Sequence, residues 1–142
     1  RLARKRIDQT GLSVELMGLP AEKIPLPDAS IDTIVMTYTL CTIPEPVQAL
    51  KEMRRVLKPG GKLLFCEHGV APDEKVRTTQ NRLQPVWGKL TGGCHLNRDI
   101  PALLKVGGFQ VDEIETMYVP GPKVFTYNYW GQAYSESQVS SQ

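Results

Sequence analysis

A block from Pro27 to Phe65 constrains the fold of this chain more than any other part of the sequence. It opens with Pro-Asp-Ala-Ser-Ile-Asp, which is typical of a turn, and continues with the apolar segment Thr33 to Thr37. Proline is favoured in the first turn of a helix, and Pro46 stands at the start of the next segment. Apolar residues then repeat at helical spacing and predict the buried stripe of a helix: Val47, Leu50, Met53 and Leu57.

A second strand is predicted after this helix. Pro59-Gly60-Gly61 cannot continue a helix, and we interpret it as a structural turn rather than as part of a site. Lys62 to Cys66 then begins a second apolar segment. Because Thr33 to Thr37 is apolar on both faces, we expect a parallel strand that helices cover on each side. Strand, helix and strand in this order predict a βαβ unit.

The segments before and after this βαβ unit predict three more elements. Arg1 to Gln9 has the pattern of a helix end, stopped by Gly11, and the alternating residues Ser13 to Met17 predict a short strand. Glu74 to Leu90 predicts a helix with a kink near Pro85. The apolar face predicted for that helix consists of Val76, Thr79, Leu83, Val86, Trp87 and Leu90.

The last part of the chain predicts a short helix and a β-hairpin. Asn97 or Asp99 can cap a helix that extends through Val106. Phe109 to Tyr118 and Lys123 to Trp130 have strand character and are separated by a turn sequence rich in proline and glycine. We therefore expect these two segments to form an antiparallel pair.

Composition limits the classes of function. With 142 residues, 41% of them hydrophobic and 23% charged, the chain suits a single soluble domain. We assign residues 1–134 to this domain portion and predict a disordered tail from Ser135 to Gln142, where the residues are small and polar. A net charge of +2 does not favour a nucleic-acid partner, and the apolar runs are too short to span a membrane.

The three cysteines, Cys41, Cys66 and Cys94, lie far apart in the sequence. They lack the close spacing that is typical of metal ligands in a short motif. We therefore predict reduced thiols in a cytoplasmic protein, and no metal site.

The order of these elements resembles the second half of the class I S-adenosylmethionine-dependent methyltransferase domain. Three segments are similar to the ubiquinone/menaquinone C-methyltransferases, of the methyltransferase domain 11 type, and to the methyltransferase-like proteins that methylate thiols: Tyr38 to Cys41, Phe65 to His68, and Gly92 to Asn97. The resemblance implies an α/β, Rossmann-like fold, truncated at the N-terminus. Its sheet would be mostly parallel and would end in an antiparallel hairpin.

The resemblance also implies where the cofactor, S-adenosylmethionine, would bind. Open α/β sheets bind ligands at the carboxyl ends of their strands. The family usually has Asp-Ala-Glu in the segment that corresponds to Leu19 to Ile24, whereas this chain has Pro-Ala-Glu, so the aspartate that contacts adenine is missing. The cofactor-binding residues implied for this chain are Ala21, Glu22, Thr37, Tyr38 and Thr39.

Methyl transfer from a sulfonium is an in-line displacement, so positioning donor and acceptor can supply much of the catalysis, about 7–11 kcal/mol in favourable cases. A base is needed only if the acceptor carries a proton, as a thiol does. The candidates for this role are Glu67, His68 and His95. Each also has a structural interpretation: a satisfied surface or loop histidine for His68 and His95, and a capping or paired carboxylate for Glu67.

No glycine in this chain forms G-x-G-x-x-G after a strand. In the family that loop grips the cofactor, and the resemblance implies that it precedes Arg1, together with the first two strands and the first helix. We therefore expect this chain to be an inactive fragment of a methyltransferase that acts on a small molecule. We expect it to bind S-adenosylmethionine weakly or not at all.

A non-catalytic interaction or oligomerisation module is the alternative function. Without the preceding strands, the strand that contains Ile34 and Val35 would have an open edge, which invites pairing with another chain. The sequence therefore predicts self-association through that edge. Half of a nucleotide-binding dehydrogenase is a third interpretation, and the closing hairpin disfavours it.

Overall fold

Four strands form one sheet in the order β1-β2-β4-β3 in the computed structural model, which describes residues 2–18 and 20–135. Helices precede, connect and flank these strands. In chain order the elements are α1 (Leu2–Thr10), β1 (Ile31–Thr37), α2 (Pro46–Val56), β2 (Leu57–His68), α3 (Glu74–Leu90), α4 (Ile100–Val106), β3 (Phe109–Tyr118), α5 (Lys123–Thr126) and β4 (Tyr127–Ser135).

The predicted βαβ unit is confirmed. β1 and β2 pair in parallel, with Ile34 opposite Leu63, and α2 connects them. α2 begins at Pro46, as predicted, and buries Ala49, Leu50, Met53 and Val56. A parallel pair requires such a crossover, because a tight hairpin cannot return the chain in the same direction.

The Pro59-Gly60-Gly61 turn is built into the first part of β2. The register passes from Ile31 opposite Leu57 directly to Thr33 opposite Lys62, so residues 58–61 form a bulge. Gly60 has φ +78°, in the left-handed region that favours glycine. The sequence places the end of the helix two or three residues too late, because α2 ends at Val56.

The prediction of a mostly parallel sheet is wrong. Only the β1–β2 pair is parallel among the described strands, whereas β2 and β3 both run antiparallel to β4. The hairpin itself is confirmed, but residues 123–126 form the short helix α5, and the second strand begins at Tyr127. A connection of eight residues, 119–126, reverses the chain direction and therefore makes an antiparallel pair.

Two further elements differ from the prediction. Ser13 to Met17 is not a strand; it is coil, and no strand of the described residues pairs with it. β1 is not covered on both faces, because the side chain of Val35 is 68% exposed. Alternation and apolar runs predict a surface that can be covered, but they do not show which neighbour covers it.

The helix α3 has the predicted bounds and contains Pro85, but its predicted buried face is wrong. Leu83, Val86 and Leu90 are exposed, and the buried residue of this helix is the polar Gln80. The amide of Gln80 donates to the carbonyls of Gly69 and Val124, at 3.1 Å each, and accepts from the amide of Ala71 at 3.0 Å. Hydrogen bonds to three backbone groups therefore fix the orientation of α3.

The remaining predictions concern helix caps and the tail. α1 matches the predicted first helix, and Asp99, rather than Asn97, caps α4 by accepting from the amide of Ala102. β4 extends to Ser135, which is buried, so the predicted tail begins at least one residue too early. The rest of that tail, residues 136–142, lies outside the described residues.

The hydrophobic core lies between the sheet and the helices α2 and α4. Its members come from strands, helices and the segment after β1: Met36, Leu40, Leu50, Met53, Leu57, Leu63, Phe65, Ile100, Leu104, Phe109, Tyr129 and Ala133. Among residues 2–18 and 20–135, no helix is both long enough and apolar enough to cross a membrane.

An ion pair on α2 anchors the segment before β1. The guanidinium of Arg55 donates to both carboxylate oxygens of Glu52 at 2.9 Å, and to the carbonyls of Ile24 and Leu26 at 2.7 and 2.9 Å. Glu52 accepts from the amide of Ile24 at 3.0 Å. These bonds hold residues 24–26 against α2, and hence fix the end of the segment that begins at Pro20.

We expect Glu52→Gln to lower the urea midpoint of unfolding at pH 7, because it removes the charge from this network. Hydrogen bonds from Arg55 and Ile24 lower the pKa of Glu52 from its ordinary 4.5 to about 2. The stabilisation is therefore complete above about pH 4.5 and is lost as the pH falls toward about 2. The difference between wild type and variant should shrink across this window, as followed by circular dichroism.

Glu15→Gln is the control, because Glu15 is an exposed glutamate in the coil after α1. It should leave the midpoint nearly unchanged at every pH. A wild-type advantage over Glu52→Gln that is the same at pH 7 and at acidic pH would contradict the assignment.

Candidate functional site

The carboxyl ends of β1 and β2 lie side by side, and the segment after β1 crosses the end of β2. Tyr38 has φ +48°, which turns the chain sharply where β1 ends. Its amide donates to the carbonyl of Cys66 at 2.9 Å, and its hydroxyl donates to Oδ1 of Asn128 at 2.8 Å. Residues 38–43 are thereby brought over β2, at the edge of the sheet where ligands bind in this architecture.

Glu67 lies buried beneath this segment. Its Oε1 accepts from the amide of Thr39 at 2.7 Å, and the amides of Leu40 and Cys41 also face the carboxyl group. Burial raises the pKa of Glu67, although these amides and Arg98 act in the opposite direction. Only the bond from Thr39 is within hydrogen-bond geometry, and Oε2 has no partner among the described residues. Glu67 therefore holds the segment after β1 in place.

Arg98 supports the same segment from the other side. Its guanidinium donates to the carbonyls of Leu40 and Ile43, the latter at 2.8 Å, and burial lowers its pKa. The backbone of Arg98 packs closely against Gly69, where a Cβ would lie 2.5 Å from the carbonyl oxygen of Arg98. Sequence reasoning did not select Arg98, which follows the predicted Gly92 to Asn97 segment by one residue.

A groove of 540 Å³ lies beside the turn at Tyr38. It brings together two segments that are separated in the sequence, and its lining residues are Pro20, Ala21, Glu22, Tyr38, Thr39, Thr42, Ile43 and Pro44. Four of the five residues predicted to bind a cofactor thus share one groove. The fifth, Thr37, is exposed at the end of β1 and is not part of the lining. Leu19, the first residue of the predicted segment, lies outside the described residues.

His68 and two of the cysteines meet next to this groove. Nε2 of His68 lies 3.3 Å from Sγ of Cys94, and the ligand atoms of Cys41, His68 and Cys94 lie within 4.8 Å of one another. Burial lowers the pKa of His68 and raises the pKa of Cys41 to about 11. No signal in the sequence indicates this cluster, because its members come from three segments that only the fold brings together.

His95 connects the segments that carry the two cysteines. Its amide donates to the carbonyl of Cys41 at 2.7 Å, and its Nδ1 lies 3.2 Å from the same oxygen. The three residues predicted as acid–base candidates therefore lie in one region but are arranged differently: His95 contacts backbone, Glu67 holds Thr39, and His68 faces a thiol.

We expect Glu67→Ala to destabilise the chain by about 1–3 kcal/mol, because it leaves the part-buried amide of Thr39 without its acceptor. Glu67→Gln keeps an acceptor oxygen and should cost less. Urea unfolding measures both, and hydrogen exchange at Thr39 should accelerate only in the alanine variant. Glu115→Ala, the same truncation at an exposed strand position, should change stability by less than about 0.5 kcal/mol. Equal losses for Glu67→Ala and Glu67→Gln would contradict this role.

Comparison with known proteins identifies relatives of the chain. The methyltransferase domain family matches residues 1–65. A thiol S-methyltransferase of Rattus norvegicus is 37% identical over 98 residues, which are 68% of this chain and 39% of that protein. The ubiquinone/menaquinone biosynthesis C-methyltransferase of Bordetella avium is 45% identical over 67 residues, 47% of this chain and 26% of that protein. The chain thus spans well under half of the length of these two relatives.

Solved structures share the fold. A SAM-dependent methyltransferase from Methanosarcina mazei superposes with a TM-score of 0.67 at 22% identity, over 93% of this chain and 74% of that one. The trans-methyltransferase CalH, solved in complex with SAH, gives 0.63 at 25% identity, over 94% and 39%. The resemblance expected from the sequence is confirmed. Residues 1–65 match the methyltransferase domain family, and the chain has the fold of the S-adenosylmethionine-dependent methyltransferases.

Proposed function

We propose that this chain takes part in methyl transfer from S-adenosylmethionine to a small-molecule acceptor, and that the groove beside Tyr38 receives the cofactor. The observation that carries the proposal is the juxtaposition of residues 20–22 and 38–44 around one groove at the end of β1. Ligands bind at this end of the strands in open α/β sheets. The relatives named above are methyltransferases, which supports the same activity.

The groove offers groups that suit a sulfonium cofactor. The ring of Tyr38 is 53% exposed, and its hydroxyl is fixed by Asn128, so an aromatic face is held at the groove. Aromatic faces attract cations, and the methyl donor is a cation. Backbone groups of residues 20–22 would have to recognise adenine, because the family's aspartate is replaced by Pro20.

Methyl transfer requires the acceptor atom to lie in line with the bond between sulfur and the methyl group. The main contribution to catalysis that we propose for this chain is therefore to position the donor and the acceptor. The bond from sulfur to the methyl group breaks as the bond to the acceptor forms. A proton must leave only if the acceptor is protonated, as in the thiol that the name of the rat relative implies. Glu67, His68 and His95 are the proposed candidates for receiving it.

We also propose that this chain alone binds the cofactor weakly and is inactive. No G-x-G-x-x-G sequence follows a strand in its 142 residues, so the groove would hold the cofactor without the loop that grips it in the family. The charged side chain of the groove, Glu22, is already engaged within the chain, because its carboxylate accepts from the amide of Glu45 at 3.4 Å.

We expect S-adenosylmethionine to bind this chain with a dissociation constant of about 1 mM or weaker, and to perturb the amide resonances of Ala21, Glu22, Tyr38 and Thr39. Ala21→Phe should fill the groove and weaken binding by about tenfold or more, equivalent to about 1.4 kcal/mol. Two-dimensional NMR titration measures both effects at the concentrations that weak binding requires.

Ala102→Phe is the matched control, since Ala102 is exposed and lines a different depression, on α4. It should leave the titration unchanged. Perturbations confined to other regions, or none at several millimolar ligand, would overturn the groove assignment. A dissociation constant in the micromolar range would instead refute the proposal that this chain alone binds S-adenosylmethionine weakly.

A self-associating module is the second candidate function, and the exposure of β1 favours it. β1 is an edge strand of the described sheet, and its central Val35 is exposed. β3, the other edge, has Asp112, Glu113 and Glu115 exposed, and charges of this kind discourage pairing between edges. β1 is therefore the edge at which we propose that a second copy pairs.

We expect this chain to self-associate in analytical ultracentrifugation, and Val35→Lys to shift it toward the monomer, because a charge opposes pairing at that edge. Val106→Lys is the matched control: Val106 is 65% exposed, close to the 68% of Val35, but lies on α4. Equal effects of the two substitutions, or a monodisperse wild-type monomer, would count against the proposal.

A further inference from the structure

The cluster of Cys41, His68 and Cys94 contains two thiols that the proposed function does not use. Cys41 is in the segment after β1, His68 ends β2, and Cys94 follows α3. Cys41 is buried and the other two are half-buried. The two sulfur atoms and one imidazole nitrogen that could bind a metal all lie within 4.8 Å of one another.

We propose that Cys41, His68 and Cys94 bind a zinc ion, with a fourth position left for water or another ligand. Zinc prefers thiolate and imidazole ligands in a tetrahedral arrangement, and three protein ligands with one open position are a known zinc set. The usual bond lengths imply that neighbouring ligand atoms stand about 3.5–3.8 Å apart. The 3.3 Å between His68 and Cys94, and the 4.8 Å limit for all three, need only small side-chain adjustments to reach that spacing.

The charge balance of such a site suits its buried position. Two thiolates and a neutral imidazole neutralise a divalent cation, so the assembled site carries no net charge. Binding would release two protons from the thiols, because only the thiolate coordinates. Soft thiolate ligands also disfavour magnesium and calcium, which prefer oxygen.

The backbone around the cluster is already fixed. The carbonyl of Cys41 accepts from the amide of His95 at 2.7 Å, and the carbonyl of Cys94 accepts from the side-chain amide of Gln84 at 3.1 Å. The hydroxyl of Thr42 lies 3.4 Å from Sγ of Cys41 and can support that sulfur from outside the coordination shell. These contacts hold the ligands near one another before a metal arrives.

This inference does not depend on the proposed function. Thr42 and Tyr38 line the groove, and both contact Sγ of Cys41, so the ion would lie directly behind the groove wall. An imidazole that coordinates through Nε2 cannot accept a proton there. Zinc binding would therefore exclude His68 as the general base and leave the groove assignment unchanged.

Cobalt(II) provides the test, because tetrahedral thiolate coordination gives it a strong visible spectrum that zinc lacks. The reduced 142-residue chain, freed of metal by a chelator, is titrated with Co²⁺ under anaerobic conditions. We expect sulfur-to-cobalt charge-transfer bands that saturate at one ion per chain and disappear when Zn²⁺ is added. Zinc should also protect two of the three thiols from a thiol reagent.

Cys94→Ser and His68→Gln should each weaken cobalt binding by about a hundredfold or more, since even the outer partners of metal ligands are worth about 10–100-fold. Cys66→Ser is the matched control: Cys66 is the third, half-buried cysteine and is not a member of the cluster. Circular dichroism of each variant verifies that the fold is retained, and a variant that fails is replaced by His68→Ala or Cys94→Ala.

Three results would overturn the proposal. The first is the absence of the charge-transfer bands in the reduced wild-type chain. The second is binding that Cys94→Ser and His68→Gln leave intact, or that Cys66→Ser weakens as much. The third is that mild oxidation forms a disulfide bond between Cys41 and Cys94 while the reduced chain binds no cobalt. That result would make the two thiols a redox pair.

Discussion

The buried hydrogen bond between Glu67 and the amide of Thr39 is the interaction on which the region at the sheet edge depends. It joins the segment after β1 to the end of β2, and β1 and β2 are the only parallel strands of the described sheet. Burying a carboxyl group costs free energy unless the group is hydrogen-bonded. The buried carboxyl group of Glu67 therefore strongly constrains where residues 38–43 can lie.

The groove and the thiol cluster are two sides of the segment that this bond fixes. Tyr38, Thr39 and Thr42 face the groove, while Cys41 is buried on the other side with His68 and Cys94. Arg98 closes the arrangement by donating to the carbonyls that precede and follow the cysteine, those of Leu40 and Ile43. A change at Glu67 would thus displace both surfaces together, whereas a change at Cys94 would leave the groove-lining residues in place.

Local signals in the sequence were sufficient for the elements that depend on neighbours in the chain. Pro46 and the apolar spacing that follows predict α2, and a capping residue at Asn97 or Asp99 predicts α4. The position of the groove could also be predicted from the sequence. The carboxyl ends of neighbouring strands bring functional segments together, whatever the spacing of those segments in the chain. The predictions that are wrong concern elements whose structure depends on distant partners. Residues 13–17 are coil, because no described strand pairs with them, and α3 buries a glutamine rather than its apolar face.

The cysteine cluster shows why spacing arguments fail for sites at strand ends. Short-motif metal sites have ligands a few residues apart, because a single turn or helix carries them. Here Cys41 and Cys94 are more than fifty residues apart, and a crossover helix, a strand and α3 lie between them. The parallel pairing of β1 and β2 places Cys41 near His68, and the bonds of Gln84 bring the chain after α3 back to the same edge. The ligand set follows from the topology, so it becomes visible only once the strand order is known.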